Sequence, residues 1–239
     1  MGKRVVITGM GVVSPIGIGL KDFYDSLYHG KSGVSEITKF DTSDFDCKIA
    51  AEIRDFNPKD YGIPREITRT CDTFSKYALV AAQEAIENSD LPLEKRTAEE
   101  LKDTSSETRS RQIQENFDQG KRRAVIIGSG MGGIDTILEE HKKLMKRGPK
   151  RISAFTVPQA MVNSAAVAVP LLYKGINGYV SSNSNACATS LFSVLQEVKR
   201  ISDTIKSTFF ILINFFVYFL IFKLMANPPP GANFTFKFV

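Results

Sequence analysis

With 239 residues, 43% of them apolar, and a formal net charge of +5, the chain is long enough to bury a sizeable core in one large domain or two small ones. The positive charge is scattered over Lys121 to Arg123, Lys142 to Arg151 and the vicinity of Lys199 and Lys206, which reads as solvated helix faces and excludes one long nucleic-acid-binding tract. Cys47, Cys71 and Cys187 are odd in number and widely spaced, with no C-x-x-C pair, which argues against a disulfide framework or a zinc site and for a reducing compartment.

Arg4 to Thr8 is a β-branched run that predicts a buried strand, ending in Gly9-Met10-Gly11 as a tight turn, and it leaves no room for a secretory or transit peptide. A short helix follows over Leu20 to Tyr28. Phe40 to Phe56 reads as loop plus a strand or hairpin, and Thr73 to Asn88 as an Ala-rich helix with apolar residues at Tyr77, Val80, Ala81, Ala85 and Ile86. From Leu93 to Arg123 the chain is polar and charged, an inserted and solvated segment, helical or disordered. Ala124 to Ile127 predicts a further strand, Ile134 to Lys146 a helix, Pro158 to Tyr173 an apolar helix, and Tyr179 to Asn183 a strand. Strands alternating with helices predict an α/β layered fold with a mostly parallel central sheet and flanking helices.

Two motifs carry chemistry. Gly128-x-Gly130-x-x-Gly133 lies between a strand and a helix and matches the dinucleotide fingerprint, but the acidic residue expected about twenty positions on is replaced by Gly148-Pro149-Lys150-Arg151-Ile152. The alternative is a backbone turn that passes close to a bound substrate chain or to a nucleophile, with Met131 as a flexible apolar lining. Cys187 stands between the Tyr179 to Asn183 run and an amphipathic pattern of Leu191, Val194, Leu195, Val198 and Ile201. A thiol at a helix N-terminus is activated toward thiolate, and the backbone N–H groups there can hold an oxyanion. The competing reading is a small buried hydrophobe.

Val5-Val6-Ile7-Thr8-Gly9-Met10-Gly11-Val12-Val13-Ser14-Pro15-Ile16-Gly17, Gly30-Lys31-Ser32-Gly33-Val34, Gly128-Ser129-Gly130-Met131-Gly132-Gly133, Val157-Pro158 and Ala186-Cys187-Ala188-Thr189-Ser190 occur in this order. In these motifs the chain resembles the β-ketoacyl-[acyl-carrier-protein] synthases, in particular the long-chain condensing enzymes of type II fatty acid synthesis. The resemblance implies a thiolase-like fold, of which residues 1–201 would form the N-terminal half, with a polar insertion at about 94–121. It makes Cys187 the acyl-accepting nucleophile, with its backbone N–H as an oxyanion donor, and Met131 part of an acyl pocket. It implies acyl and malonyl thioesters of acyl carrier protein as partners, the latter suited to a basic rim, a homodimer, and no metal or cofactor. Cytoplasm or an organelle matrix is the expected location.

Three departures limit what the chain is expected to do. Asn183 stands where the family packs an apolar side chain, a placement that costs a few kcal/mol if the amide is buried without partners. The family's two histidine motifs for decarboxylation are absent, and the two histidines present, His29 and His141, read as surface helix positions. The chain alone is therefore expected not to complete condensation, and a non-catalytic acyl- or carrier-binding fragment is the alternative. Residues 202–239 diverge from the family, and within them 209–222 is almost wholly apolar, with six phenylalanines. As a helix, those fourteen residues would cover roughly 21 Å of a roughly 30 Å hydrocarbon core. A marginal membrane helix and a buried replacement element are the alternatives to the favoured reading, sequence not native to the fold.

Overall fold

The computed structural model describes residues 4–89, 91–103, 110, 114, 123–176, 179–185, 188–189, 209–213 and 218–225. Its main sheet contains β1 (Arg4–Ser14), β2 (Gly17–Ile18), β5 (Arg123–Gly128), β6 (Val180–Asn183), β7 (Phe209–Ile213) and β8 (Tyr218–Met225), in the spatial order β2-β1-β8-β7-β5-β6. A separate two-stranded sheet pairs β3 (Val34–Glu36) with β4 (Ile49–Ala51); β4 is the strand expected between Phe40 and Phe56, but its partner lies before that stretch. The helices are α1 (Leu20–Tyr28), α2 (Arg65–Thr68), α3 (Thr73–Asn88), α4 (Ala98–Lys102), α5 (Ile134–Arg147), α6 (Thr156–Ala160) and α7 (Ser164–Leu172). The α/β class follows the alternation of the sequence, and α1 and α3 have the predicted bounds.

Parallel pairing joins β7, β5 and β6, whereas β1 pairs antiparallel with both β2 and β8. The sheet is mixed rather than mostly parallel because β7 and β8 form an antiparallel pair between β1 and β5. That pair also corrects the membrane-helix reading of 209–222: the described residues of this stretch are extended. Among the described residues no helix is long and apolar enough to cross a membrane.

The glycines of β1 do not make the predicted turn. Strand pairing continues through Gly9 and Gly11 to Ser14, with a bulge between Ile7 and Gly9. Two residues apart, these glycines share one face of the strand, and that face meets α3. A Cβ on Gly9 would run into the Ala85 carbonyl oxygen, and one on Gly11 into that of Ala81. Backbone therefore packs on backbone, and the small residues Ala81, Ala82 and Ala85 on α3 complete the match. On its other side α3 meets α7, whose Ala165, Ala166, Ala168, Val169 and Leu172 are buried with it. A hydrogen bond of 2.7 Å between the Ser75 and Ser164 hydroxyls marks this crossing. Strand β5, flanked by β7 and β6, buries Val125, Ile126 and Ile127 on both of its faces, as expected of a strand covered on two sides.

Two further expectations change. The apolar run from Pro158 to Tyr173 divides into α6 and α7 with an interruption at Met161, Val162 and Asn163. The polar segment after Leu93 is not solvated throughout. Arg96 is 6% exposed and its Nη1 donates to the carbonyls of Pro170 (2.6 Å), Leu171 (2.9 Å) and Tyr173 (3.1 Å). These are terminal carbonyls of α7 that lack helical partners, and a cation suits that end of the helix dipole. A capping box between Thr97 and Glu100 then starts α4.

Helix α5 is attached in an unusual way, since Glu140 is its one buried residue while Ile137, Leu138, Leu144 and Met145 are exposed. The Glu140 carboxylate accepts from Lys143 Nζ at 2.6 Å and from the Ser153 N–H at 2.9 Å. These bonds, the Lys143 contact first, hold its carboxyl below the ordinary value of 4.5. Ionised Glu140 thus favours the folded state above that value, and the contribution is lost as pH falls through the lowered one.

Two measurements check this packing. Gly11→Ala should destabilise by about 3 kcal/mol in urea unfolding because a backbone carbonyl must move, whereas Gly130→Ala, which meets open space, should stay within about 0.5 kcal/mol of the parent. In acid titrations followed by thermal melting, Glu140→Gln should flatten the loss of stability between the ordinary carboxylate value and lower pH; an unchanged profile would show that Glu140 does not hold α5.

Candidate active site

Parallel strands β5 and β6 end side by side at Gly128 and Asn183, and ligands of α/β sheets bind outside such carboxyl ends. The two motifs of interest leave from these two ends. The Ser129 N–H donates to the Asn183 carbonyl at 3.1 Å, and the Ser184 hydroxyl donates to the Gly130 carbonyl at 3.1 Å. Ser129 is fully buried, and its Oγ accepts from the Gly132 N–H at 2.9 Å, closing the glycine loop on itself. The stretch 183–185 is thereby stitched to the glycine loop.

The loop is pressed against α6. Gly132 has φ +69, and a Cβ there would lie 2.7 Å from the Ala160 carbonyl oxygen; the Gly133 N–H donates to the same oxygen at 3.1 Å. Glycine is needed here for a left-handed backbone and for close approach. The dinucleotide reading does not survive this geometry, because Asp72 already occupies the start of α5. Its Oδ2 accepts from the Thr136 N–H at 2.8 Å and from the Thr136 hydroxyl at 2.6 Å, while Oδ1 caps α3 through the Phe74 N–H at 3.3 Å. A pyrophosphate at that helix terminus would confront a carboxylate that is 4% exposed. At Gly132 and Gly133 the backbone passes close to the carbonyls of Ala160 and Gln159 on α6.

Of the predicted site residues, Met131 projects from the loop tip and is 64% exposed. Cys187 lies outside the described residues. Its flanks are placed: the Ala188 N–H donates to the Asn185 carbonyl at 3.0 Å, and the Asn185 N–H donates to the Thr189 hydroxyl at 2.7 Å. Asn183 is half-buried, with its carbonyl engaged by Ser129. His29 and His141 are both exposed, as read from the sequence, and His29 Nδ1 stands 3.3 Å from Asp25. Cys71 is buried, which pushes its thiol up to about 11, and Cys47 is exposed with its Sγ on the Ile49 carbonyl.

A family model described as Beta-ketoacyl synthase, N-terminal domain, matches residues 2–204. The chain belongs to this family. It is 36% identical over 199 residues to 3-oxoacyl-[acyl-carrier-protein] synthase 2 of Staphylococcus aureus (strain COL), covering 82% of this chain and 42% of that protein. The chain thus spans well under half the length of that relative. Among solved structures, the ishigamide ketosynthase/chain length factor superposes with a TM-score of 0.66 at 20% identity, covering 94% of this chain and 59% of the other. AntDE:AntF, described as a type II PKS acyl-carrier protein in complex with its ketosynthase bound to the hexaketide, gives 0.65 at 18% identity, covering 94% and 64%. These likenesses establish the thiolase-like ketosynthase fold, and the family match ends close to where residues 202–239 were read as divergent.

Nothing in the residue pattern singled out Ser129, Ser184 or Thr189, because each acts through a bond to backbone made only in the folded chain. Asp72 did leave a signal, an Asp directly before a helical run, which is an N-cap position. Asp72→Ala should cost about 2–3 kcal/mol from loss of a cap and of buried acceptors, with Asp72→Asn recovering part of it in the same denaturation experiment.

Proposed function

We propose that this chain carries the nucleophile-bearing part of a β-ketoacyl-[acyl-carrier-protein] synthase of fatty acid biosynthesis, with Cys187 as the acyl acceptor. The observation that carries the reading is the stitching of the glycine loop to Asn183 and Ser184, just before Cys187 in sequence, at the carboxyl ends of two parallel strands, in a chain of this family. The Cys187 thiolate attacks the thioester carbonyl of an acylated carrier protein, forming a carbon–sulfur bond while the carbonyl electron pair moves to oxygen. Collapse of the oxyanion breaks the bond to the carrier's thiol, which leaves as thiolate and takes up the proton that Cys187 released. A backbone N–H at Cys187 donates to the oxyanion, a contribution that matters most where charge develops. Met131 lines the acyl path in this proposal.

Acyl carrier protein is the proposed partner, supported by the exposed basic run Lys142, Lys146, Arg147, Lys150 and Arg151 beside the loop-bearing helix. The homodimer implied by the resemblance belongs to the same proposal, and the exposed apolar residues of α5 are a surface that such an assembly can cover. The division into a ketoacyl synthase region at 1–201 and a divergent 202–239 is likewise proposed, supported by the family match ending at residue 204. Decarboxylation of malonyl-carrier protein is assigned to no residue here.

Incubation with acylated carrier protein followed by peptide mass spectrometry should find the acyl group on Cys187. It should be absent from Cys71, whose thiol is buried and protonated, and it should be lost in Cys187→Ala. A folded protein that takes no acyl group would favour the non-catalytic, carrier-binding reading.

A further inference from the structure

We infer that Ser129 is the positioning residue of the glycine loop and sets, through that loop, where Met131 meets an acyl chain, an inference that rests on the acyl transfer proposed above. Met131 stands inside one short closure, between its acceptor and its donor, since Ser129 Oγ accepts from the Gly132 N–H at 2.9 Å. A serine hydroxyl bonded to nearby backbone holds the chain in a local turn. The tip of this turn, Met131, is 64% exposed, while the two residues that close it are buried. Ser129 has none of its surface in water, so water cannot replace the hydroxyl as acceptor. Removing it leaves a buried N–H at Gly132 unsatisfied.

The turn is also anchored from outside on both of its flanks. On one side the Ser129 N–H donates to the Asn183 carbonyl at the end of β6, at 3.1 Å. On the other, Gly132 takes φ +69 and the Gly133 N–H donates to the Ala160 carbonyl of α6, at 3.1 Å. Ser129 is the residue common to the inner closure and the β6 anchor, using its hydroxyl for one and its N–H for the other. A methionine side chain adapts to whatever apolar surface it meets, so it can discriminate between acyl chains only if the backbone beneath it is held in place. Ser129 touches no reacting atom in this account and acts through the loop that carries Met131.

The test uses the full chain, with butanoyl- and dodecanoyl-pantetheine thioesters as probes, the acyl adduct on Cys187 read by peptide mass spectrometry, and exchange of the Gly132 amide proton read by NMR. The parent should favour one thioester, and Ser129→Ala should move the ratio of the two transfer rates toward one by about threefold or more. The same variant should speed Gly132 exchange by about tenfold or more. Ser129→Thr keeps the acceptor and should hold both readouts near the parent's. Met131→Ala should move the ratio as Ser129→Ala does without changing the exchange, and combining the two should move it no further, because they act in series. That cycle decides the matter if the added methyl of Ser129→Thr prevents a cooperative melt. A parent that transfers both acyl groups at one rate, equal slowing of both thioesters by Ser129→Ala, or additive effects in the double variant would overturn the inference. Absence of any acyl adduct in the parent overturns the function proposed above, whereas Gly132 exchange needs no substrate and still decides the role of Ser129: an unchanged rate in Ser129→Ala rules out its closure of the loop.

Discussion

Helix α3 can lie between β1 and α7 only because β1 offers it bare backbone. Gly9 and Gly11 leave no side chain between the strand and the carbonyls of Ala81 and Ala85, and the separation this sets is matched by alanines on α3 and α7. Everything that places the candidate site is referred to this helix. Its N-cap, Asp72, reaches across to start α5, its first turn is pinned to α7 through Ser75 and Ser164, and α7 in turn lies against β5, whose end carries the glycine loop.

A single buried carboxylate therefore serves two helices. Asp72 accepts at the N-termini of both α3 and α5, where the two positive ends of the helix dipoles favour a negative group. The same placement explains why a sequence that matches a phosphate-binding fingerprint does not present a phosphate-binding surface. The N–H groups a phosphate would seek are already satisfied by protein, and the glycines are used for contact with the α6 carbonyls.

Elements with a strong local signal were legible in the sequence. The patterns of Leu20–Tyr28 and Thr73–Asn88 specified helices to the residue, and the β-branched run before Gly128 specified strand β5. Legibility failed where a residue serves a neighbour distant in sequence. Gly9 and Gly11 read as a turn because a glycine that yields space to a helix looks the same in one dimension as one that bends the chain. Arg96 sat in a segment read as solvated because the carbonyls it serves belong to α7, more than seventy residues on. For 209–225, apolarity alone could not separate helix from strand, and pairing with β1 and β5 supplied the distinction. At the site, the motifs located the glycine loop and the cysteine by resemblance, but the hydroxyls that join those two segments carried no one-dimensional mark.

The attachment of α5 has a thermodynamic consequence. A helix that buries one carboxylate and keeps its apolar stripe in water is held by hydrogen bonds, so releasing it exposes little new apolar surface. Its opening would then carry a small heat-capacity change and a small denaturant dependence, the marks of a local unit that exchanges its amide protons without global unfolding. The glycine loop is covalently joined to that helix at Gly133, so one wall of the candidate site adjoins a helix that the Glu140 carboxylate ties to the Ser153 N–H.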